Sequence, residues 1–237
     1  MAVYAAVFSP TGTSRKGAWA MASALGEARL LDVTLSPAAA QVFSREDLVV
    51  FGAPVYGGRV FAGALERLSP LRGQGTPCIV TVTYGNRDFD DALLELTDFC
   101  RERGFVPLAG AALVGEHTYG SIQVGRPAAE DLEQDRAFAL EAWDDWNAGW
   151  EGFSPPGNRP YREGARAAAL CPLPWKIAPA AACAGTSAPW GPLGRTVLPL
   201  TAAGASPASG ASNAARSRPR AALPQSTRAL PRPSPSA

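Results

Sequence analysis

Short, uniformly apolar segments alternate with segments of helical periodicity over residues 1–150. Residues 2–8 (AVYAAVF) are apolar throughout, which favours a strand that is buried on both faces of a parallel sheet. Residues 15–25 carry apolar side chains on one helical face and end before Gly26, a typical helix stop. The chain therefore begins with a predicted buried strand followed by an amphipathic helix.

The same succession of a strand and a helix recurs along the chain. Further strands are predicted at 30–33, 47–52, 77–84 and 106–114. Further helices are predicted at 37–43, through Leu65 and Leu68, from about Phe89 to Gly104, and from about Ala128 onward. The pattern thus predicts five strands that alternate with five helices.

Strict alternation of this kind implies parallel strands joined by right-handed crossovers, with helices on both faces of the sheet. We predict an α/β, three-layer fold with a five-stranded parallel sheet in the order 2-1-3-4-5. Ligands of such sheets bind beyond the carboxyl ends of the strands. The segments at those ends are SPTGTS, APVYGG, TYGNRD and GEHTYG, so we expect these four loops to share one edge.

The first of these loops, SPTGTS, is rich in hydrogen-bond donors. Thr11, Gly12, Thr13 and Ser14 each offer a backbone N–H, and Gly12 permits close backbone approach. At the start of a helix such groups can hold a phosphate. A polar turn with Ser or Thr as helix N-cap is the alternative. The patterns GxxxxGK[ST] and GxGxxG are absent, which disfavours a P-loop nucleotidase and a dinucleotide fold.

The next two loops offer flat aromatic faces. Tyr56 precedes Gly57 and Gly58, so a planar ring could stack on its side chain while the ring edge meets glycine backbone. Tyr84 could supply a second face, and Asn86 could bond a ring edge. An exposed turn tyrosine is the alternative interpretation of Tyr56.

The other polar residues of these loops have simpler interpretations. Arg87 either reaches the ligand or pairs with Asp90 or Asp91, and Asp88 is interpreted as the N-cap of the following helix. His117, the only histidine, is interpreted as a surface or loop-packing residue, since one histidine cannot build a multi-histidine metal site. No pattern indicates catalytic residues or a metal site.

Charge is distributed unevenly along the chain. All 21 acidic residues lie within residues 1–163 with 14 of the 22 Lys and Arg, which gives that segment a net charge of −7. Residues 164–237 hold eight basic residues, no acid and 12 prolines. Because this composition buries too little apolar surface to offset chain entropy, we predict a folded domain at 1–150, a Pro/Gly linker at 151–170 and a disordered Ala/Pro/Arg-rich tail at 171–237.

Several classes of protein are disfavoured. The chain has no apolar run long enough for a membrane span, no basic signal-like N-terminus, and four cysteines without tight spacing. Arginines of the tail are not interleaved with aromatic residues, which gives little support for nucleic-acid binding. We therefore expect a cytoplasmic protein with neither a membrane nor a nucleic acid as partner.

Taken together, the four loops resemble the flavodoxin superfamily, with a phosphate loop at 9–14 and ring loops at 54–59 and 84–89. A closer resemblance is to the flavodoxin–ferredoxin fusion proteins of anaerobic bacteria, over about residues 1–170. It is carried by GAPVYGGR, TYGNRDFDDALLEL, GEHTYG, GRP and PGNRPYRE. The resemblance implies a flavodoxin-like fold that binds FMN non-covalently.

The resemblance also implies a one- or two-electron carrier with redox protein partners, either ferredoxin-like proteins or a reductase. The −7 segment should favour a low potential, because reduction adds negative charge. The implied FMN contacts are Ser9, Thr11, Gly12, Thr13, Ser14, Pro54, Val55, Tyr56, Gly57, Gly58, Tyr84, Gly85, Asn86 and Arg87. Two alternatives remain open: an FMN-dependent reductase of a small substrate such as a quinone, and an interaction module without FMN.

The tail departs from the fusion family, whose ferredoxin half carries two CxxCxxCxxxCP runs. Only Cys171 and Cys183 occur in this region, and two thiolates cannot hold a [4Fe–4S] cluster, which takes four ligands. We therefore expect no iron–sulfur cluster. A frameshift near residues 171–180 would explain the Ala, Pro, Gly and Arg composition, and a genuine basic tail that binds an acidic partner is the alternative.

Overall fold

The computed structural model describes residues 1–118, 120–149 and 153–163, together with the backbone of residues 196–197. Cys171 and Cys183, residues 164–170 of the predicted linker and all but two residues of the predicted tail lie outside the described residues. In chain order the elements are β1 (Val3–Val7), α1 (Thr13–Leu25), β2 (Ala28–Asp32), β3 (Gln41–Phe43), β4 (Leu48–Tyr56), β5 (Arg59–Val60), α2 (Ala62–Leu68), β6 (Leu71–Gly73), β7 (Thr76–Tyr84), α3 (Ala92–Glu102), β8 (Phe105–Val114), α4 (Ala129–Asn147) and β9 (Thr196–Val197).

Five parallel strands form the main sheet in the order β2-β1-β4-β7-β8. Counted along the chain without the short strands, this is the predicted order 2-1-3-4-5, so the α/β, flavodoxin-like fold is confirmed. The two residues of β9 add an antiparallel pair to β8. In the part of the chain that the structure describes, no helix is long and apolar enough to cross a membrane.

Helices cover both faces of the sheet, and its central strands are buried at nearly every position because most of their residues are apolar. Phe51 of β4 packs with α2 and α3 on one face, whereas the next residue back, Val50, packs with α1 and α4 on the other. Both side chains are fully buried. The continuous apolar pattern of these strands therefore reflects two separate hydrophobic cores rather than one.

The predicted helix at 37–43 is wrong. Its last three residues form β3, which pairs in parallel with β6 in a separate two-stranded sheet. Phe43 is buried there and its ring packs edge-on against Tyr4, with centroids 4.9 Å apart. Because successive side chains of a strand point to opposite faces, Phe43 is buried in the core while Val42 is exposed.

The helix predicted from Phe89 begins three residues later, at Ala92. Asp90 has a left-handed φ of 43°, which an α-helix cannot contain. The carboxylate of Asp88 accepts a hydrogen bond from the Asp90 N–H at 3.1 Å and so shapes the turn. The predicted role of Asp88 as N-cap of α3 is therefore wrong, and Asp91 directly precedes the helix instead.

Residues 153–163, which we call the strap, return from the end of α4 and lie along α3. Phe153 is buried in the core beneath α3, and the Arg101 guanidinium donates to its carbonyl oxygen at 2.5 Å. Further along, Tyr161 donates its hydroxyl to Asp98 of α3 at 2.7 Å. This part of the segment predicted as a linker is thus attached to the domain by both apolar and polar contacts.

Candidate functional site

A cleft of about 220 Å³ opens at the carboxyl edge of the sheet, where the loops after β1, β4, β7 and β8 meet. It is lined by Ser9, Pro10, Thr11, Thr13, Ser14, Pro54, Val55, Tyr56, Gly57, Thr83, Tyr84, Gly85, Glu116, His117 and Thr118. The four loops that the strand order places on one edge therefore contribute to a single cavity, as expected for a doubly wound sheet.

The loop after β1 is braced mainly by Ser9. Its N–H donates to the Thr34 hydroxyl at 2.9 Å, and its own Oγ accepts the N–H of Arg15 at 3.0 Å. Gly12 has a left-handed φ of 78°, and its N–H donates to the Ser9 carbonyl at 3.0 Å. The Ser9 hydroxyl thus satisfies one of the free backbone donors at the start of α1, and the bonds made by Ser9 hold the conformation of the loop.

The start of α1 presents donors toward the cleft. Thr13 and Ser14 are its first two residues, and N–H groups at these positions have no acceptor within their own helix. The hydroxyls of Thr11 and Thr13 lie 3.0 Å apart and share a hydrogen bond. Since the helix dipole adds a partial positive charge here, these groups together form a suitable cradle for an anion.

A cation also lies beside this cradle. The guanidinium of Arg15 extends alongside Gly12, with one nitrogen 3.6 Å from the point where a Cβ on that glycine would lie. The same guanidinium pairs with Asp32 at 3.4 Å at the end of β2. Both side chains border the adjoining groove rather than the cleft. The cradle therefore has a positive group on its outer side.

The loop after β4 is a two-residue hairpin in which Tyr56 pairs with Arg59. Gly57 and Gly58 both have positive φ, 64° and 83°, as a type I′ turn requires of its two central residues. Tyr56 is 44% exposed, and its ring packs edge-on against Phe61 at 5.4 Å. Partial burial raises the pKa of its phenol, and the ring lines the cleft.

The loop after β7 contributes less than its sequence suggested. Tyr84 lines the cleft but is 9% exposed, and its ring packs edge-on against Phe89 at 5.6 Å. Arg87 pairs with Asp90 at 2.9 Å, which was one of its two expected roles. Of the residues implied by the resemblance, those that do not line the cleft are Gly12, Gly58, Asn86 and Arg87.

Sequence reasoning assigned no ligand role to several lining residues, of which His117 is the largest. A Cβ on Gly85 would collide with Cδ2 of His117, so the imidazole lies directly against the Gly85 backbone. The backbone N–H of His117 donates to the Ile122 carbonyl at 3.1 Å, and the Glu116 carboxylate accepts the backbone N–H of Gly125 at 2.9 Å. The available signal was the position of GEHTYG at the end of the fifth strand of the main sheet.

Thr83 carries a buried hydroxyl for which the described residues supply no hydrogen-bond partner. The residue lies at the end of β7 and lines the cleft. Thr81, two positions earlier on the same strand, instead donates its hydroxyl to the Phe51 carbonyl at 2.8 Å. Since buried polar groups in folded proteins are nearly always paired, the Thr83 hydroxyl is unusual among the described residues.

Similarity to known proteins is confined to structure. No protein-family model matches the chain. No curated protein matches its sequence. Among solved structures, an archaeal flavodoxin is 12% identical, with a TM-score of 0.45 over 62% of this chain and 99% of that one.

Two bacterial structures are similar at the same level. The flavodoxin of Streptococcus pneumoniae TIGR4 is 20% identical, with a TM-score of 0.42 over 61% of this chain and 99% of its own. A flavodiiron core from Synechocystis sp. PCC6803 is 15% identical, with a TM-score of 0.43 over 63% of this chain and 37% of its own. At such values the assignment of a flavodoxin-like fold rests on the observed strand order and helix placement.

Proposed function

We propose that the cleft binds FMN non-covalently and that the chain acts as a low-potential electron carrier. The observation that carries this proposal is the meeting of an anion cradle, an exposed tyrosine face and the unpaired Thr83 hydroxyl in one cavity. FMN has a phosphate, a polar chain and a planar ring, and so matches these three features. Bound FMN supplies one- and two-electron redox chemistry.

Different residues of the cleft would contact different parts of FMN. N–H and hydroxyl groups of Thr11, Thr13 and Ser14 would hold the phosphate, while Tyr56 would stack on the ring and shield it from water. Gly57 lacks a side chain and so allows the backbone close to a ring edge. These residues bind and orient the cofactor, and none of them needs to transfer a proton.

The charge of the domain supports a low potential. Residues 1–163 carry a net charge of −7, and each electron added to a bound flavin increases the negative charge that this field opposes. The partners of such a carrier would be ferredoxin-like proteins or a reductase, which exchange electrons at the exposed edge of the cleft. A reductase acting on a quinone would additionally oxidise NAD(P)H in steady state.

FMN binding is tested by titrating the flavin-free full chain with FMN while flavin fluorescence and absorbance are followed. We expect saturable quenching at one FMN per chain and, in a redox titration, a midpoint potential below that of free FMN. Riboflavin, which lacks the phosphate, serves as the matched control and should bind more weakly, because it leaves the cradle empty. A chain that takes up no FMN would refute the proposal.

Replacing Thr83 with valine should have opposite effects on the free and the loaded protein. We expect the unfolding free energy of the flavin-free chain to rise by about 1 kcal/mol, because a buried unpaired hydroxyl is removed. FMN binding should weaken by about tenfold, because the ligand loses a hydrogen bond in a buried site. Urea unfolding and FMN titration measure the two effects.

Thr81→Val is the matched control for this substitution. Its hydroxyl is already bonded to the Phe51 carbonyl, so we expect the control to lower the unfolding free energy by about 1 kcal/mol and to leave FMN affinity unchanged. If Thr83→Val destabilises the flavin-free chain as Thr81→Val does, the Thr83 hydroxyl has a protein partner and is no ligand group.

A further inference from the structure

The strap connects the chain downstream of α4 to the glycine turn at the cleft. We propose that Arg162 of the strap is a positioning residue that holds the Gly57-Gly58 turn in place through the carboxylate of Asp90. The consequence for flavin affinity rests on the proposed function, whereas the effect on the turn itself does not.

The first link joins Arg162 to Asp90. The guanidinium of Arg162 lies 2.7 Å from one carboxylate oxygen of Asp90, and that of Arg87 lies 2.9 Å from the other. The Asp90 side chain is only 12% exposed, and its backbone has a φ of 43°. Two arginines thus hold the carboxylate in place. The positive φ of Asp90 is unfavourable for a non-glycine residue and persists because the surrounding contacts maintain it.

The second link joins Asp90 to the turn. A Cβ on Gly58 would collide with Oδ2 of Asp90 and would lie 2.9 Å from its Cβ, so the aspartate side chain rests directly on the Gly58 backbone. The N–H of Asp91 donates to the Gly58 carbonyl at 3.2 Å. The side chain of Asp90 therefore packs against the α-carbon of Gly58, and the N–H of Asp91 holds its carbonyl.

Arg59 ties the same hairpin to the strap a second time. Its guanidinium donates to the Arg162 carbonyl at 3.0 Å and lies over the Tyr161 ring at 4.7 Å. It also donates to both carboxylate oxygens of Glu95 in α3, at 2.9 and 2.6 Å, and this bonding raises the pKa of Arg59. The hairpin, the strap and α3 consequently share one network of charged groups.

The strap remains attached to α3 without the Arg162 side chain. The carboxylate of Asp91 accepts the backbone N–H groups of Arg162 at 2.6 Å and Asn158 at 2.8 Å, and these bonds lower its pKa. The Asp98 carboxylate accepts hydrogen bonds from the Arg159 guanidinium at 2.6 Å and from the Tyr161 hydroxyl at 2.7 Å. Truncation of the Arg162 side chain therefore tests its contact with Asp90 rather than the docking of the strap.

The turn depends on such support from outside because its two residues have no side chains. Two consecutive glycines have wide conformational freedom, and an isolated turn would occupy several conformations. Gly57 lines the cleft beside Tyr56, so the conformation of the turn sets the width of the ring-binding side. A turn that is already ordered saves the ligand the cost of ordering it.

The test compares Arg162→Met with Arg159→Met in the full chain. Both arginines are exposed and both pair with an acidic residue, but only the partner of Arg162 touches Gly58. We expect Arg162→Met to speed hydrogen exchange of the Asp91 amide and to weaken FMN binding, each by about two- to five-fold, the range given by a partly exposed ion pair. Arg159→Met should change neither, as NMR-detected exchange and FMN titration will report.

A second pair of variants isolates the ion pair. Asp90→Asn keeps the shape of the side chain and tolerates the left-handed φ, but it removes the charge that pairs with both Arg162 and Arg87. Its effect should therefore be at least as large as that of Arg162→Met, and the double variant should add nothing to the effect of Asp90→Asn. Equal effects of Arg159→Met and Arg162→Met, or additive effects in the double variant, would overturn the proposal. If exchange responds as expected but no variant binds FMN, the positioning role stands and the proposed function fails.

Discussion

Replacement of Phe153 by alanine is expected to lower the free energy of unfolding by about 3 kcal/mol, the cost typical of a buried phenylalanine. The side chain is 3% exposed and belongs to the core on the α2 and α3 face of the sheet. Its ring lies so close to β8 that a Cβ on Gly110 would be 2.5 Å from Cζ. Little room remains for neighbouring groups to collapse into the space, which is why the full cost is expected.

Urea unfolding of Phe153→Ala and of Ser154→Ala provides the comparison. Ser154 is the next residue of the strap and is exposed, so its truncation should change the unfolding free energy by less than about 0.5 kcal/mol. A loss below about 1 kcal/mol for Phe153→Ala would mean that the strap is a linker in the ordinary sense, and the attachment described above would be wrong.

The strap shows where sequence reasoning reaches its limit. Its prolines, glycine, asparagine and arginines have the composition of a linker, and no periodicity marks it as structured. Its attachment depends on Asp91 and Asp98, which lie more than sixty positions earlier in the chain. A carboxylate in a helical segment gives no sign of which distant backbone N–H it will accept, because that depends on the completed fold.

The sheet, by contrast, could be predicted because its central strands are buried on both faces. Residues such as Val50 and Phe51 produce an uninterrupted apolar run that few other structures require. The error at 37–43 arose because the strand there is short. Its three residues are too few to show a period, and only the pairing of β3 with β6 decides their conformation.

For the candidate site, the sequence predicts the placement of the loops but not the hydrogen-bond partners of their side chains. Loops such as SPTGTS and APVYGG follow strand ends, so the topology alone places them together. Thr81 and Thr83 are the same residue type on the same strand, yet among the described residues only Thr81 finds a partner for its hydroxyl. That difference is set by what lies opposite each residue in three dimensions, and the sequence contains no sign of it.

Gly115→Ala is expected to lower the free energy of unfolding by about 2 kcal/mol and to weaken FMN binding by at least about tenfold. Gly115 follows β8 and donates its N–H to the Tyr84 carbonyl at 3.0 Å. A Cβ there would collide with Cγ2 of Thr13 and lie 2.8 Å from Cγ2 of Thr83. The added methyl group must therefore push apart the phosphate loop and the end of β7, which carry two of the proposed ligand groups.

Removal of the obstructing methyl groups should reverse this effect. In the variant Gly115→Ala, Thr13→Ser, Thr83→Ser the colliding Cγ2 atoms are gone while both hydroxyls remain, so we expect most of the FMN affinity and stability to return. The pair Thr13→Ser, Thr83→Ser without the alanine is the matched control, and FMN titration with urea unfolding measures all three. The absence of rescue would contradict the assignment of the clash to these two methyl groups. Rescue would instead establish that the phosphate loop and β7 meet at this glycine with no space for a side chain.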